Sequence, residues 1–535
     1  MLYVAETFSD EESAILRPYF TNLDGPVFAL VNLPEVVKGA LFARYSRSSK
    51  SLRRLFLDEF VADLDLTGDL TVDASIGLRR AEDLYEKVFV EYGDDSVAQL
   101  GATHLACEQA SNVLTKVLEW GRLASYLEQS TRYIPYDSRL GGRYRYLRPP
   151  SILDSPLGAR YVSDMDRMFD LYARALPALM DWAKERFPKE PGDSDFVYKQ
   201  TIKAKACDAA RGMLPAGTLS NLGIFASGQA YEALLLRMRA HPLPEARTYS
   251  TLMLQELQKV IPSFLSRVER AERGGVWVQY LSDTQAATAA LAERIFGGAD
   301  DSVQHASVRL IDFDTEGETK VAAAALYASS HVSETAIRET VSRMTAAERA
   351  SIIKTYCGDR SNRRHRPGRA FEATSYRFEV VGDYGAFRDL QRHRMLTIEW
   401  QSLDTHLGYE VPEGIAEAGQ LDLFESAMEC SEDLSSALAE IAPNESVYAV
   451  ALAHRMRYTI EMNAREAMHL IELRSGPQGH ASYRTVAQQM HRLIADHAGH
   501  TAIADAMQFV DHGFSDLERL EGERRAEARR KAMQH

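Results

Sequence analysis

Arg392, His393 and Arg394 are consecutive, and Ser402 lies eight residues beyond Arg394. Three cationic or cation-capable side chains in a row repel one another and must be solvated or face an anion. An arginine fork binds phosphate oxygens through two parallel hydrogen bonds and cannot give up its proton, so the cluster suits a phosphorylated small molecule. Taken alone, such a triplet is most often a solvated basic turn. A second triplet, Arg364-His365-Arg366, has Thr374 where the first has Ser402, an imperfect copy. His491, His497 and His500 are unevenly spaced, do not share one helical face and have no fixed carboxylate beside them. They read as a solvated helix, and no metal site is expected.

The elements around the first triplet occur twice. Val27–Ser48 has a short apolar run and then a helical pattern containing ALFA at 40–43; Val308–Ser330 repeats that order with ALYA at 325–328. WGRLASYLEQS at 120–130 can be laid over RHRMLTIEWQS at 392–402. In the second copy Tyr376, Phe378 and Val380 alternate with Arg377 and Glu379, which predicts a half-buried strand over 375–381. Asp383, nine residues before Arg392, is the expected helix N-cap, and Ser111, nine residues before Trp120, is its counterpart. Val113, Leu114, Val117 and Leu118 then have helical spacing. The chain therefore reads as a diverged tandem duplication of α+β class, each copy a small mixed or antiparallel sheet flanked by long helices. The expected division is an N-terminal domain over 1–296 with its core at about 25–280, a polar linker at 297–302, a C-terminal domain over 303–510 and a charged helical tail over 511–535.

RHR followed by seven residues and a serine resembles the signature of the flavin-dependent thymidylate synthases. The second copy is also similar to that family in Asn463-Ala464-Arg465, in Leu473-Arg474 and in His480-Ala481. The first copy departs from it in a complementary way. It has Trp120-Gly121-Arg122 in place of the triplet, yet Glu128, Ser130, Arg132 and Tyr133 fall in the register of the family's extended motif. Arg211, in RGMLP, resembles the family's phosphate-binding segment, where the second copy has Val447. Opposite Asn463 and Arg465 the first copy has Ser227 and Gln229, with Arg237 only approximately opposite Arg474. The second copy departs too, with Trp400 where the family has Glu and Asp389 where it has Gln; the first copy is acidic around Asp94, where the family has His.

The resemblance implies an FAD-dependent enzyme that methylates C5 of dUMP, with methylene-tetrahydrofolate and NADPH as co-substrates. It implies substrate contacts from Glu128, Ser130, Thr131, Arg132, Arg211, Gln391 and Arg392. It implies flavin contacts from Arg392, His393, Arg394, Asn463, Arg465 and His469, with His365 a further flavin neighbour. Arg474 is implied as the catalytic cation beside the uracil. The complementary losses suggest a composite site drawing on both copies, and a homodimer that rebuilds a pseudo-tetramer. Two other readings stay open: a flavoenzyme methylating or hydroxymethylating another pyrimidine nucleotide, and a non-catalytic nucleotide-binding or scaffold homologue.

Composition fits the small-molecule readings. The net charge of −14 argues against a protein that coats nucleic acid, while leaving room for a local basic pocket. Cys107, Cys207, Cys357 and Cys430 are far apart and form no CxxC pair. None follows a proline, so the cysteine nucleophile of the other thymidylate synthase class is absent. The N-terminal MLYVAETFSDEESAIL has no secretory pattern, and no apolar run approaches a membrane span. A cytoplasmic location with free thiols is expected.

Overall fold

The computed structural model describes residues 3–33, 35–61, 99, 101–191, 193–297 and 307–513. Asp94, the linker beyond Gly297 and the tail from 514 to 535 lie outside these residues. The first copy contains β1 (Val27–Leu30), β2 (Ala102–Ser111), α1 (Asn112–Leu118), β3 (Ala124–Glu128), α2 (Gly158–Arg186), α3 (Asp195–Ala210), β4 (Leu219–Ser227) and α4 (Gly228–Ala240). The second contains β5 (Val308–Phe313), β6 (Ser375–Asp383), α5 (Tyr384–Leu390), β7 (Thr397–Trp400), α6 (Leu421–Ile441), β8 (Arg455–Asn463), α7 (Ala464–Arg474) and α8 (Ala481–Arg492).

Among the described residues each copy forms one four-stranded sheet, in the orders β1-β2-β4-β3 and β5-β6-β8-β7. The described pairings are antiparallel. The α+β duplication is therefore present in the fold as well as in the sequence. The alternation expected over 375–381 is real and continues to Gly382, and the strand itself ends at Asp383. Tyr376, Phe378 and Val380 are buried, as are Met456, Tyr458, Ile460 and Met462 opposite them on β8. Period-two patterning thus gives each strand one apolar face, and each large side chain buried there contributes roughly 1.5–3 kcal/mol.

The caps fix the register of the two copies. The Ser111 side chain accepts from the Leu114 amide at 3.0 Å and starts α1; the Asp383 side chain accepts from the Ala386 amide at 2.8 Å and starts α5. The Ser227 side chain caps α4 and that of Asn463 caps α7, accepting from the Ala230 and Glu466 amides at 3.3 and 2.9 Å. Such caps satisfy amides that a helix start leaves without partners.

The chain packs as two compact units, and these divide it differently from the two sequence copies. Unit 1 comprises residues 1–176, 213–301 and 422–451; unit 2 comprises 177–212, 302–421 and 452–535. Unit 1 thus includes nearly all of α6 from the second copy. Unit 2 includes α3 and the end of α2, from Pro177 onward, from the first. In unit 1 the exchanged segment is bound through Tyr448, whose hydroxyl donates to Glu245 at 3.0 Å. In unit 2 the Trp182 indole donates to Glu417 at 2.7 Å. Among the described residues no helix is long and apolar enough to cross a membrane.

Candidate active site

In unit 2, α5 ends at Leu390 and the chain turns through the basic triplet. Arg392 and Arg394 are exposed and His393 between them is buried. The alternation sends two guanidiniums outward and one imidazole inward. His393 meets α7, where its Nδ1 lies 3.0 Å from Glu466 Oε1. On its other side, Arg474 Nε donates to His393 Nε2 at 3.0 Å. His469, one turn beyond Glu466, places Nδ1 at 3.2 and 3.3 Å from the two oxygens of the same carboxylate.

Proton placement follows from donor chemistry. An arginine Nε has a hydrogen and no lone pair to offer, so His393 Nε2 is the acceptor. The neutral ring then carries its hydrogen on Nδ1, facing Glu466. Burial is the main cause that pushes His393 down to about 4, against the opposing effect of the hydrogen bond it donates to Glu466. For Glu466 burial works upward, but the hydrogen bonds from His393 and His469 outweigh it and carry the carboxyl down to about 2. The pair is therefore neutral imidazole and ionised carboxylate near neutrality.

His393, Glu466 and His469 are also the one group among the described residues with metal-ligand spacing, their donor atoms lying within 4.8 Å of one another. The donor set does not suit a metal. A metal on His393 Nδ1 would move the ring hydrogen to Nε2, directly against the Arg474 Nε–H. His491 and His500 are held separately, at the Ala504 carbonyl and the Tyr376 hydroxyl.

Arg474 is held from three directions. Besides His393, Asp389 lies 3.8 Å from its Nη1, and its guanidinium carbon sits 5.4 Å from the Tyr483 ring centroid. Two residues earlier on α7, Glu472 forms a buried two-pronged pair with Arg360 at 2.7 and 2.6 Å, which anchors the helix end. Arg360 also donates to the His365 carbonyl, so the second RHR triplet is an exposed turn on that anchor.

Arg211 belongs to the first copy in sequence and to unit 2 in space. It is buried, with Asp208 at 3.6 Å and Asp389 at 3.7 Å. Its Nη2 is buried without a hydrogen-bond partner. It lines a cleft of about 420 Å³ with Lys205, Asp208, Asp383 and His480. Asp389 therefore stands between Arg211 and Arg474, one residue from each copy's expected machinery within a single compact unit.

The other expected residues are distributed as follows. In unit 2, Gln391 is buried at the end of α5, and Asn463 is the α7 cap. Arg465 donates to the Pro367 carbonyl at 2.9 Å and lies 3.5 Å from Glu372. Glu128, Ser130, Thr131 and Arg132 are in unit 1. Glu128 is buried 3.1 Å from Lys116, which also binds Glu119. The Arg132 amide donates to the Ser130 hydroxyl at 3.3 Å, and the Arg132 and Thr131 side chains are buried.

The family pattern described as thymidylate synthase complementing protein matches residues 40–263 and 309–498, one stretch in each copy. The chain belongs to the thymidylate synthase complementing protein family. It is 37% identical over 532 residues to a UPF0159 protein of Chlamydia muridarum, covering 99% of this chain and 100% of that protein. A UPF0159 protein of Chlamydia pneumoniae is likewise 37% identical over 532 residues, covering 98% of this chain and 99% of that protein. One from Thermoplasma acidophilum is 32% identical over 515 residues, covering 91% and 97%.

Unit 1 supplies an internal comparison. Counting from the paired caps, His393, Glu466, His469 and Arg474 correspond to Gly121, Ala230, Ala233 and Met238. All four polar side chains are missing together. Gly121, Ala230 and Ala233 line an open groove of about 1120 Å³ instead. Arg237, one position off register, turns away: it donates to the Val117 carbonyl at 2.7 Å and stacks 4.1 Å from the Trp120 ring. Sequence reading missed Glu466 and Asp208. Glu466 sits three residues after an Asn cap, where an acid is ordinarily read as helix-start chemistry. Its spacing from His469 was the available signal.

Proposed function

We propose that unit 2 houses a flavin-dependent thymidylate synthase site acting on dUMP. The observation that carries this reading is Arg474, a cation held by His393 at 3.0 Å and by Asp389 at 3.8 Å. Charge that develops on the uracil oxygen as C5 attacks the methylene carbon is stabilised by a donor already in place, which needs no reorganisation. Arg211 supplies a buried donor without a partner, and a phosphate oxygen would satisfy it. Arg392 and Arg394, exposed on either side of His393, have the charge and fork geometry to hold the flavin pyrophosphate, with Arg465 nearby in sequence on α7. Bound FAD would supply, from NADPH, the hydride that reduces the transferred methylene to a methyl group; this chain's own residues bind, orient and polarise.

The test is tritium release from C5-labelled dUMP with NADPH and methylene-tetrahydrofolate, using FAD-loaded protein. Release with production of dTMP supports the reading; a protein that takes up no FAD and releases no tritium refutes it and leaves the scaffold reading. A second reading is favoured by Asp389. A carboxylate between Arg211 and Arg474 accepts a hydrogen bond from an exocyclic amine, as on a cytosine nucleotide. Turnover of C5-labelled dCMP in preference to dUMP would select that reading.

A further inference from the structure

We propose that Glu466 is a positioning residue whose carboxylate sets the tautomer of His393 and, through it, the aim of Arg474. The proposal rests on the reading of Arg474 as the cation beside the pyrimidine, but its structural part stands without substrate.

The direction of the chain is fixed by what each atom can do. Glu466, ionised, only accepts. Arg474 Nε only donates. A neutral imidazole between them must donate from one nitrogen and accept at the other, so Glu466 selects Nδ1–H and leaves the Nε2 lone pair for Arg474. The two contacts are both 3.0 Å, with His393 buried at 6% exposure and Glu466 at 7%. Water therefore does not readily substitute for either partner. His469 shares the Glu466 carboxylate, which limits its rotation away from His393. Without the carboxylate the ring can place its hydrogen on Nε2. That sets N–H against N–H at Arg474, and the guanidinium must turn away.

Unit 1 gives the second, independent line. The positions of Glu466, His393, His469 and Arg474 hold Ala230, Gly121, Ala233 and Met238 there. The side chains are present as a set in one unit and absent as a set in the other, as expected of parts that work only together.

The experiment is two-bond proton–nitrogen correlation on the full-length protein with labelled histidine at pH 7, His393 being assigned by difference against His393→Gln. The wild type is expected to show Nδ1–H and an unprotonated Nε2 for His393; an Nε2–H tautomer overturns the proposal without any variant. Glu466→Ala is expected to shift the ring toward Nε2–H and to lower kcat, with a loss on the order of tenfold or more. Glu466→Gln, which keeps an acceptor oxygen, should restore the Nδ1–H tautomer and most of kcat. If Glu466→Ala keeps Nδ1–H and full turnover, the positioning role is wrong. If the tautomers behave as expected while no protein turns over dUMP or dCMP, it is the proposed function that fails.

Discussion

The Arg211 guanidinium lies 3.7 Å from the Asp389 carboxylate, joining the two sequence copies inside one compact unit. The same carboxylate approaches Arg474 at 3.8 Å. An acid between two arginines offsets the charge that would otherwise draw an anion.

Asp389→Asn should therefore tighten dUMP binding. Removing one charge beside two guanidiniums is worth about 1 kcal/mol in a partly solvated cleft, roughly a fivefold fall in Kd. Calorimetric titration at low and high salt checks it, and the gain should shrink as salt rises. If Asp389 reads an amine instead, the same variant loses affinity for dCMP.

Arg474→Lys keeps the charge and removes the Nε donor to His393. The point charge on a flexible stem cannot hold the same line, so kcat for tritium release should fall on the order of 10²-fold or more. The FAD absorption spectrum of the purified variant should be unchanged.

Acid should weaken unit 2 through His393. Burial holds its folded value at about 4, below the 6.5 of an ordinary histidine. As pH falls from 6.5 toward 4, the unfolded ring takes up a proton that the folded ring refuses, so stability drops across that window. Glu466, down at about 2 from 4.5, adds its own loss as pH falls from 4.5 toward 2. Urea unfolding at pH 7.5, 6 and 5 should show the decline in the wild type and a flatter profile in His393→Gln.

Arg360→Ala leaves Glu472 buried and uncompensated at the end of α7. Breaking a buried pair by removing one partner costs about 3–5 kcal/mol. Denaturant unfolding should register a loss of that size, whereas Arg369→Ala, removing an exposed partner of Glu372, should cost under about 1 kcal/mol.

Much of the scaffold was legible because local chemistry fixes it. Ser111 and Asp383 are caps with no strong alternative, and the alternation from Tyr376 to Val380 admits one strand face. These features fix the register of the copies, which is why Trp120-Gly121-Arg122 could be set against the triplet. The contact between His393 and Arg474 was not legible, since it depends on α7 lying against the end of α5. Nor was the assignment of residues 177–212 to unit 2. Arg211 looked like one copy's residue, and it packs with the other copy's Asp389.

The reciprocal segments also bear on how the copies could diverge. In an assembly of identical chains, every substitution appears at every equivalent position, so a relay cannot be erased from one site and kept at its mate. Joining two copies in one polypeptide, with 422–451 built into one unit and 177–212 into the other, fixes their ratio at one to one and frees them from that constraint. Gly121 and His393 can then answer to different selection. For the same reason the halves are not separable modules: a cut between 301 and 302 would leave each fragment without a stretch of chain that its own compact unit contains.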